Sequence, residues 1–158
     1  MQRAYLTLLF IAVLLSFYSC RIASEELPDD GIVYFLVSEI NPNHMYSYIL
    51  PLKDPDDISK ADNIIKGLSR KQIVVAKINQ GSGDGVYLNR DLSGPGNRIW
   101  SWYVTEFDSF ADVTMEILDG NPLIVENNID DWIRMTDGFI GFWNYTITRR
   151  VNISEIRK

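Results

Sequence analysis

The chain has 158 residues, a formal net charge of −6, 46% hydrophobic residues and 12% aromatic residues. This hydrophobic content is typical of a packed globular domain and excludes an intrinsically disordered chain. The acidic charge, with no basic run, disfavours binding to nucleic acid or to anionic lipid. With one cysteine and one histidine, the chain can form neither an internal disulfide nor a metal site built from several histidines.

An apolar leader precedes the only cysteine. Residues 1–19 carry one positive charge, at Arg3, and then an uncharged stretch shorter than the ~20 residues that cross a bilayer as a helix. This is the pattern of a signal peptide, and we predict that residues 1–19 are removed on export. Because Cys20 follows directly, we predict that its thiol is acylated and anchors the mature protein in a membrane.

The residues just before the cysteine leave an alternative open. Bacterial lipoproteins usually have leucine and then small residues there, whereas Phe17 and Tyr18 precede Ser19 in this chain. The alternative is ordinary secretion, with Cys20 either lost or free. We therefore predict a lipoprotein of the cell envelope or outer membrane, or an extracellular protein if Cys20 is not acylated.

Two glycosylation sequons favour ordinary secretion without a lipid anchor. They begin at Asn144 and Asn152, near the end of the chain. Both would be accessible in a eukaryotic secretory pathway, whereas they would have no role in a bacterial lipoprotein.

The mature chain divides into a tether and one domain. Residues 20–31 are polar and predict a short tether, and residues 32–158 predict a single folded domain. A turn at 41–43 predicts that the first two strands form a hairpin. Runs rich in β-forming residues predict strands at 32–37, 46–52, 73–78, 99–104, 113–118 and 142–151.

Two helices are predicted, each opened by a capping side chain followed by proline. Asp54 precedes Pro55, and Asn121 precedes Pro122 at the start of a helix expected to run to about Ile133. The strands between them follow too closely for crossover helices. This favours an α+β fold, in which the two helices pack on a mainly antiparallel sheet.

Two motifs suggest ligand sites but have simpler explanations. Asp54, Asp56 and Asp57 resemble part of a calcium loop, yet they lack its glycine and distal glutamate and suit a helix N-terminus. The GSGDG run at 81–85 suggests a phosphate-binding loop, but no lysine follows at the required spacing, which favours a mobile hairpin tip. Residues 89–97 predict a second flexible loop.

No catalytic, metal or cofactor site is predicted. His44 lies in a turn, where a histidine is usually solvated. Paired carboxylates could serve as the acid and base of a secreted hydrolase, and the candidates are Glu116 with Asp108 or Asp119. Acidic residues at strand ends are common, so this enzyme is the alternative. The carboxylate series comprises Glu106, Asp108, Asp112 and Glu116.

Aromatic residues supply the candidate binding site. Trp100 and Trp102 share one face of a predicted strand, and Tyr103 adjoins them. Exposed aromatic rings on a sheet stack against sugar rings or other flat ligands, so these three are candidate ligand-binding residues. The favoured alternative is that the two tryptophans cover the core under the helices. Trp143 and Tyr145 are expected to share one face of the last strand.

Several segments, taken in order, resemble a known family. They are YFLV (34–37), LPLKDPDDISKADNIIKGL (50–68), IVVAKINQG (73–81), WSWYV (100–104), MEILDGNPLIVENNI (115–129) and GFWNYTITRRV (141–151). Together they resemble a family of small secreted domains, found in bacteria and in a slime-mould protein whose N-terminal domain names the family. The likeness spans nearly all of residues 32–151. It implies a fold and an exported location, and no established activity.

The resemblance also implies that some features are absent. Family members often carry cysteines where Leu118 and Gly141 stand, which implies that this chain lacks a disulfide of the family. A histidine often stands at the position of Tyr103, which makes catalysis there less expected. We predict an exported, lipid-anchored, non-enzymatic domain that binds an unidentified ligand or protein partner. A structural or adhesion protein of the surface is a further alternative.

Overall fold

The computed structural model describes residues 31–40, 46–112 and 120–157. Its strands are β1 (Val33–Glu39), β2 (Ser47–Leu52), β3 (Ile73–Gln80), β4 (Trp102–Ala111), β5 (Phe139–Ile140) and β6 (Tyr145–Val151). Its helices are α1 (Pro55–Ile65), α2 (Pro122–Asn127), α3 (Ile129–Thr136) and α4 (Ile153–Ile156). Several predicted features lie outside the described residues: the leader, Cys20, the turn at 41–43, His44, the strand at 113–118, Glu116 and Asp119.

The strands form two antiparallel sheets of three strands each. The first has the order β2-β1-β6 and the second has the order β4-β3-β5. β1 and β2 are antiparallel neighbours, with Val33 opposite Leu52 and Ser38 opposite Ser47. The remaining pairings are also antiparallel. The predicted α+β fold is confirmed, with the strands divided between two sheets.

Both predicted helices begin at their capping residues. Asp54 Oδ1 accepts two backbone N–H groups of the first turn of α1, at 2.9 and 3.2 Å, and Asn121 does the same for α2, at 3.0 Å in both cases. The second predicted helix, however, is divided into α2 and α3 at Asn128. The Asn128 amide donates to the Ile124 carbonyl oxygen, and its backbone has left the helical region at φ −139° and ψ 31°. Asparagine side chains compete for backbone groups in this way, which explains the break.

The first sheet is buried on both of its faces. Along β1, Phe35 and Val37 point into the main core between the sheets, while Tyr34 and Leu36 point to the opposite side. A second, smaller core covers that side. Its buried members are Tyr34, Leu36, Ile49, Tyr87, Val151 and Ile156. Since Ile156 belongs to α4, the C-terminal helix closes this smaller core, although the sequence did not predict it.

β4 extends well beyond the predicted strand at 99–104. Its pairing with β3 shifts register twice, so Thr105 and Asp108 are extra residues with no direct partner. These bulges break the alternation of apolar and polar residues, which is why the pattern did not reveal the strand. β6 is shorter than predicted, because residues 143 and 144 form a turn and pairing begins at Tyr145. A bulge at Thr148 also turns Val151 away from the face of the main core.

The segment between β3 and β4 is packed against the protein. Asn89 and Asp91 are 0% and 3% exposed. Oδ1 of Asp91 accepts the backbone N–H and the hydroxyl of Ser47, at 3.0 and 2.9 Å, and so covers the free edge of β2. The sequence suggested a flexible loop at 89–97, because asparagine, aspartate and glycine also favour exposed turns. In the structure, the polar side chains at its start bind buried backbone groups instead.

Among the helices that the structure describes, none has the length and apolar character required to cross a membrane.

Candidate functional site

The two candidate tryptophans lie inside the protein. Trp100 is 1% exposed and Trp102 is 0% exposed, and their rings stack with centroids 6.0 Å apart. Trp100 Nε1 donates to the Ser47 carbonyl oxygen at 2.8 Å, which fixes the ring against β2. A ring with no exposed face cannot stack on a ligand. Both tryptophans therefore form part of the core, which is the alternative that the sequence analysis favoured.

Tyr103 is the one partly exposed member of the predicted trio. Its side chain packs across the sheet against Gly81, where an added Cβ atom would lie 3.1 Å from a carbon of the Tyr103 ring. Gly81 also has a φ of +126°, which side chains rarely adopt. Glycine at this position therefore leaves room for the Tyr103 ring.

The exposed tryptophan is Trp143, in the turn before β6. Its side chain is 45% exposed, and Ile40, at the end of β1, is 53% exposed. The Ile40 N–H donates to the carbonyl oxygen of Asn144, the residue after Trp143, at 2.7 Å. Asn144 is exposed beside them. We call Ile40, Trp143 and Asn144 the distal surface.

The distal surface lies at the far end of β1 from the N-terminal segment. The chain enters β1 at Val33, which is paired with Leu52, and leaves it at Glu39, which is paired with Tyr145. A strand rises about 3.3 Å per residue, so the two ends of β1 are roughly 20 Å apart. Trp143 therefore lies near the end of β1 at which the chain leaves the strand, opposite the end at which it enters.

An aromatic cluster lies beneath the distal surface. The Phe142 ring contacts Tyr48, Trp132 and Tyr145 edge-on, with centroids 5.9, 6.2 and 5.3 Å away. Burial raises the pKa of the Tyr145 hydroxyl, and the nearby charges of Glu39 and Asp91 raise it further. Burial likewise raises the pKa of the Tyr48 hydroxyl. Raised pKa values keep both phenols in their neutral, protonated form at neutral pH.

A cavity of about 290 Å³ lies between α1 and the end of β4, and its lining includes Asp108, one of the predicted hydrolase residues. The Asp108 carboxylate accepts the neighbouring Ser109 hydroxyl at 2.8 Å. The other carboxylate of this cavity, Asp57, forms an ion pair with Lys60 at 2.8 Å. Each of the two carboxylates that line this cavity therefore has a neighbouring partner, Ser109 for Asp108 and Lys60 for Asp57. The residues that line it are Asp57, Lys60, Ser69, Lys71, Asp108, Ser109 and Phe110.

The structure also explains the two motifs that resembled ligand loops. Within 31–40, 46–112 and 120–157, no three histidine, cysteine or acidic side chains group together as a metal site. Asp54, from the calcium-like motif, caps α1 as described above. In the GSGDG run, Gly83 has a φ of +154°, and an added Cβ atom would lie 1.9 Å from the Tyr87 carbonyl oxygen. Close backbone packing therefore accounts for glycine at this position.

Three structurally important residues of the segment between β3 and β4 were not anticipated from the sequence. Tyr87 is fully buried in the second core, and Asn89 and Asp91 bind the edge of β2. The segment that carries them is flanked by GSGDG at 81–85 and SGPG at 93–96, so the composition indicates only a loop. The exposure of Trp143 had a clearer signal, because Gly141 and Asn144 on either side of it favour a turn.

Comparison with known proteins identifies a family. A family model described as the BP-74 N-terminal domain matches residues 32–154. No curated protein and no solved structure matches the chain. The match includes all six strands, and it confirms the resemblance that the sequence motifs indicated.

Proposed function

This chain belongs to the BP-74 N-terminal domain family, and on that premise we propose that it is an exported, lipid-anchored, non-enzymatic domain that binds a ligand through its distal surface. The observation that carries the binding function is the exposure of Trp143. The other three tryptophans are each 2% exposed or less, whereas Trp143 presents 45% of its surface. A tryptophan held open in a turn costs hydrophobic stabilisation, and binding sites are where proteins commonly retain such residues.

The chemistry of the distal surface favours a ligand with a flat and partly polar face. The Trp143 indole offers a broad ring for stacking, and Ile40 adds apolar area beside it. Asn144 offers an amide that both donates and accepts hydrogen bonds. Sugar rings combine an apolar face with hydroxyl groups in this way, so we propose a carbohydrate as the ligand.

The leader and Cys20 support the proposed location. A short apolar segment followed at once by the only cysteine is the arrangement expected of a lipoprotein precursor. Several acyl chains on one cysteine hold a protein firmly, since each buried methylene contributes about 0.8 kcal/mol. An anchor at this end would leave the distal surface facing away from the membrane.

Binding is tested by substituting Trp143 and a matched exposed residue. We expect the protein to be retained on at least one of three insoluble polysaccharides: chitin, cellulose or peptidoglycan. Trp143→Ala should abolish this retention because it removes the stacking ring. Leu68→Ala is the control, since Leu68 is 74% exposed and its substitution removes apolar surface elsewhere. Equal retention of both variants, or no retention of the unsubstituted protein, would contradict the proposed ligand.

Anchoring is tested separately by substituting Cys20. Cys20→Ala should move the protein from the membrane fraction to the soluble fraction, because it removes the acylated sulfur. The mass of the mature N-terminal peptide provides the second measurement and should show acyl chains on Cys20 alone. A Cys20→Ala protein that stays with the membranes would exclude the lipid anchor, whatever the result with Trp143.

A further inference from the structure

Three buried hydrogen-bonding groups, two in the aromatic cluster and one on the adjoining Trp102, have no partner in the part of the chain that the structure describes. They are the hydroxyls of Tyr48 and Tyr145 and the indole Nε1 of Trp102. Their side chains are 0%, 4% and 0% exposed, respectively. A buried polar group left without a partner costs about 1–3 kcal/mol, and native proteins satisfy nearly all such groups. Three such groups therefore require an explanation.

The three groups belong to neighbouring rings. The Tyr48 ring lies 5.7 Å from Trp102 and 5.9 Å from Phe142, and Phe142 lies 5.3 Å from Tyr145. The Tyr145 hydroxyl is also near enough to add to the rise in the pKa of Tyr48 that burial causes. The rings that carry the unpartnered atoms thus belong to one part of the main core, between the first sheet and the start of β4.

The other two buried tryptophans show how this protein normally satisfies an indole. Trp100 Nε1 donates to the Ser47 carbonyl oxygen at 2.8 Å, and Trp132 Nε1 donates to the Phe139 carbonyl oxygen at 2.9 Å. Trp102 is the exception, because its Nε1 reaches no acceptor among the residues that the structure describes. Since an indole can only donate, Trp102 needs an acceptor from outside the described residues.

We propose that Tyr48, Trp102 and Tyr145 line an internal water-binding site in the main core. A water molecule accepts from the Trp102 indole and exchanges hydrogen bonds with the tyrosine hydroxyls, each of which both donates and accepts. Buried waters typically make about three hydrogen bonds to polar groups that are otherwise unsatisfied, which matches the number of groups here. This inference is independent of the ligand proposed for the distal surface.

The first test is a crystal structure of the protein at a resolution that shows ordered water. We expect a water oxygen within hydrogen-bond distance of Trp102 Nε1 and of at least one of the two tyrosine hydroxyls. Trp100 and Trp132 are internal controls, and their indoles should contact the Ser47 and Phe139 carbonyl oxygens with no water between them. A protein acceptor at Trp102 Nε1, or a well-defined core without water there, would overturn the proposal.

The second test uses variants whose effect on the melting temperature depends on whether a water molecule is bound in the core. If water is bound, Tyr48→Phe removes one of its partners and should lower the melting temperature by about 2–4 °C. If the hydroxyl has no partner, the same substitution should leave the melting temperature unchanged or raise it, and this result would overturn the proposal. Tyr145→Phe provides a second variant with the same expectation. Tyr103→Phe is the control, because Tyr103 is partly exposed and is not one of the three residues of the proposed site.

Discussion

Asn89 joins the two sheets through a single side-chain amide. Its Oδ1 accepts the Ile49 N–H of β2 at 2.9 Å, and its Nδ2 donates to the Trp102 carbonyl oxygen of β4 at 2.7 Å. Ile49 and Trp102 are both fully buried, so neither backbone group is open to bulk solvent. An asparagine that looks like a turn former in the sequence therefore holds together the free edges of two strands.

Replacing Asn89 should destabilise the fold strongly. Asn89→Leu would leave two buried backbone groups without partners, and we expect a loss of about 3 kcal/mol in the free energy of unfolding. Urea unfolding followed by tryptophan fluorescence would measure this loss. Asn127→Leu is the control, since Asn127 is exposed and the same substitution there should change stability by less than about 0.5 kcal/mol. Equal losses would show that the interaction between the sheets is not specific to Asn89.

A glycine contact in the preceding loop can be tested in the same way. Gly83→Ala would place a Cβ atom 1.9 Å from the Tyr87 carbonyl oxygen, so the loop would have to move away from the second core. We expect a loss of about 3 kcal/mol. Gly85→Ala is matched, because Gly85 also has a positive φ, +98°, but no atom lies within 4 Å of its added Cβ. Backbone strain alone should cost about 1 kcal/mol there.

At the scale of elements, an ion pair connects α1 to β6. The Arg150 guanidinium donates from Nε and Nη2 to the two carboxylate oxygens of Asp62, at 2.9 and 2.6 Å. These hydrogen bonds hold the pKa of Asp62 below its usual value, although partial burial opposes the effect. A carboxyl whose pKa is lowered in the folded state stabilises the protein at pH values above the ordinary aspartate pKa. This stabilisation is lost as the pH falls through the lowered pKa.

Acid unfolding should therefore depend on Asp62. Asp62→Asn should destabilise the protein by about 1 kcal/mol at neutral pH and reduce the further loss of stability below about pH 5, because one carboxyl no longer binds a proton on unfolding. Urea unfolding across this pH range would measure both effects. Asp131→Asn is the control, since Asp131 pairs with Arg134 on the same helix and 63% of its side chain is exposed. An unchanged pH dependence in Asp62→Asn would contradict the assignment.

The elements also show which parts of the fold were predictable from the sequence. The starts of α1 and α2 were predicted because a cap followed by proline acts within one helical turn. The extent of β4 was not predicted, because the bulges at Thr105 and Asp108 depend on its pairing with β3. α4 was missed because its four residues form only one turn, which the second core stabilises.

The candidate site was less predictable than the fold. Trp102 and Trp143 have the same chemistry, yet one is fully buried and the other is 45% exposed. Their difference comes from packing between segments distant in the chain, where β2 and the loop through Asn89 cover Trp102. Residue type therefore drew attention to the aromatic rings, while only the tertiary structure distinguishes an exposed ring from a core ring.

At the scale of the whole molecule, the distal surface lies at the opposite end of β1 from the end at which the chain enters this strand. Lys53 is exposed next to Leu52, which pairs with Val33 where the chain enters β1. Asn144 is exposed at the opposite end, beside Trp143. If Cys20 is the anchor, Lys53 should on average lie closer to the membrane than Asn144. The separation of the two ends, roughly 20 Å, is large enough to measure by fluorescence energy transfer.

Energy transfer to a lipid-bound acceptor should therefore distinguish the two positions. Cys20 is the only native cysteine and is blocked when acylated, so Lys53→Cys and Asn144→Cys can each carry one donor dye. With the anchored protein in vesicles that contain an acceptor headgroup, we expect more efficient transfer from position 53 than from position 144. Soluble protein carrying Cys20→Ala should show no transfer from either position. Equal transfer from both positions of the anchored protein would mean that the tether lets the domain rotate freely. More efficient transfer from position 144 would place the distal surface against the membrane, where it could not reach a ligand outside.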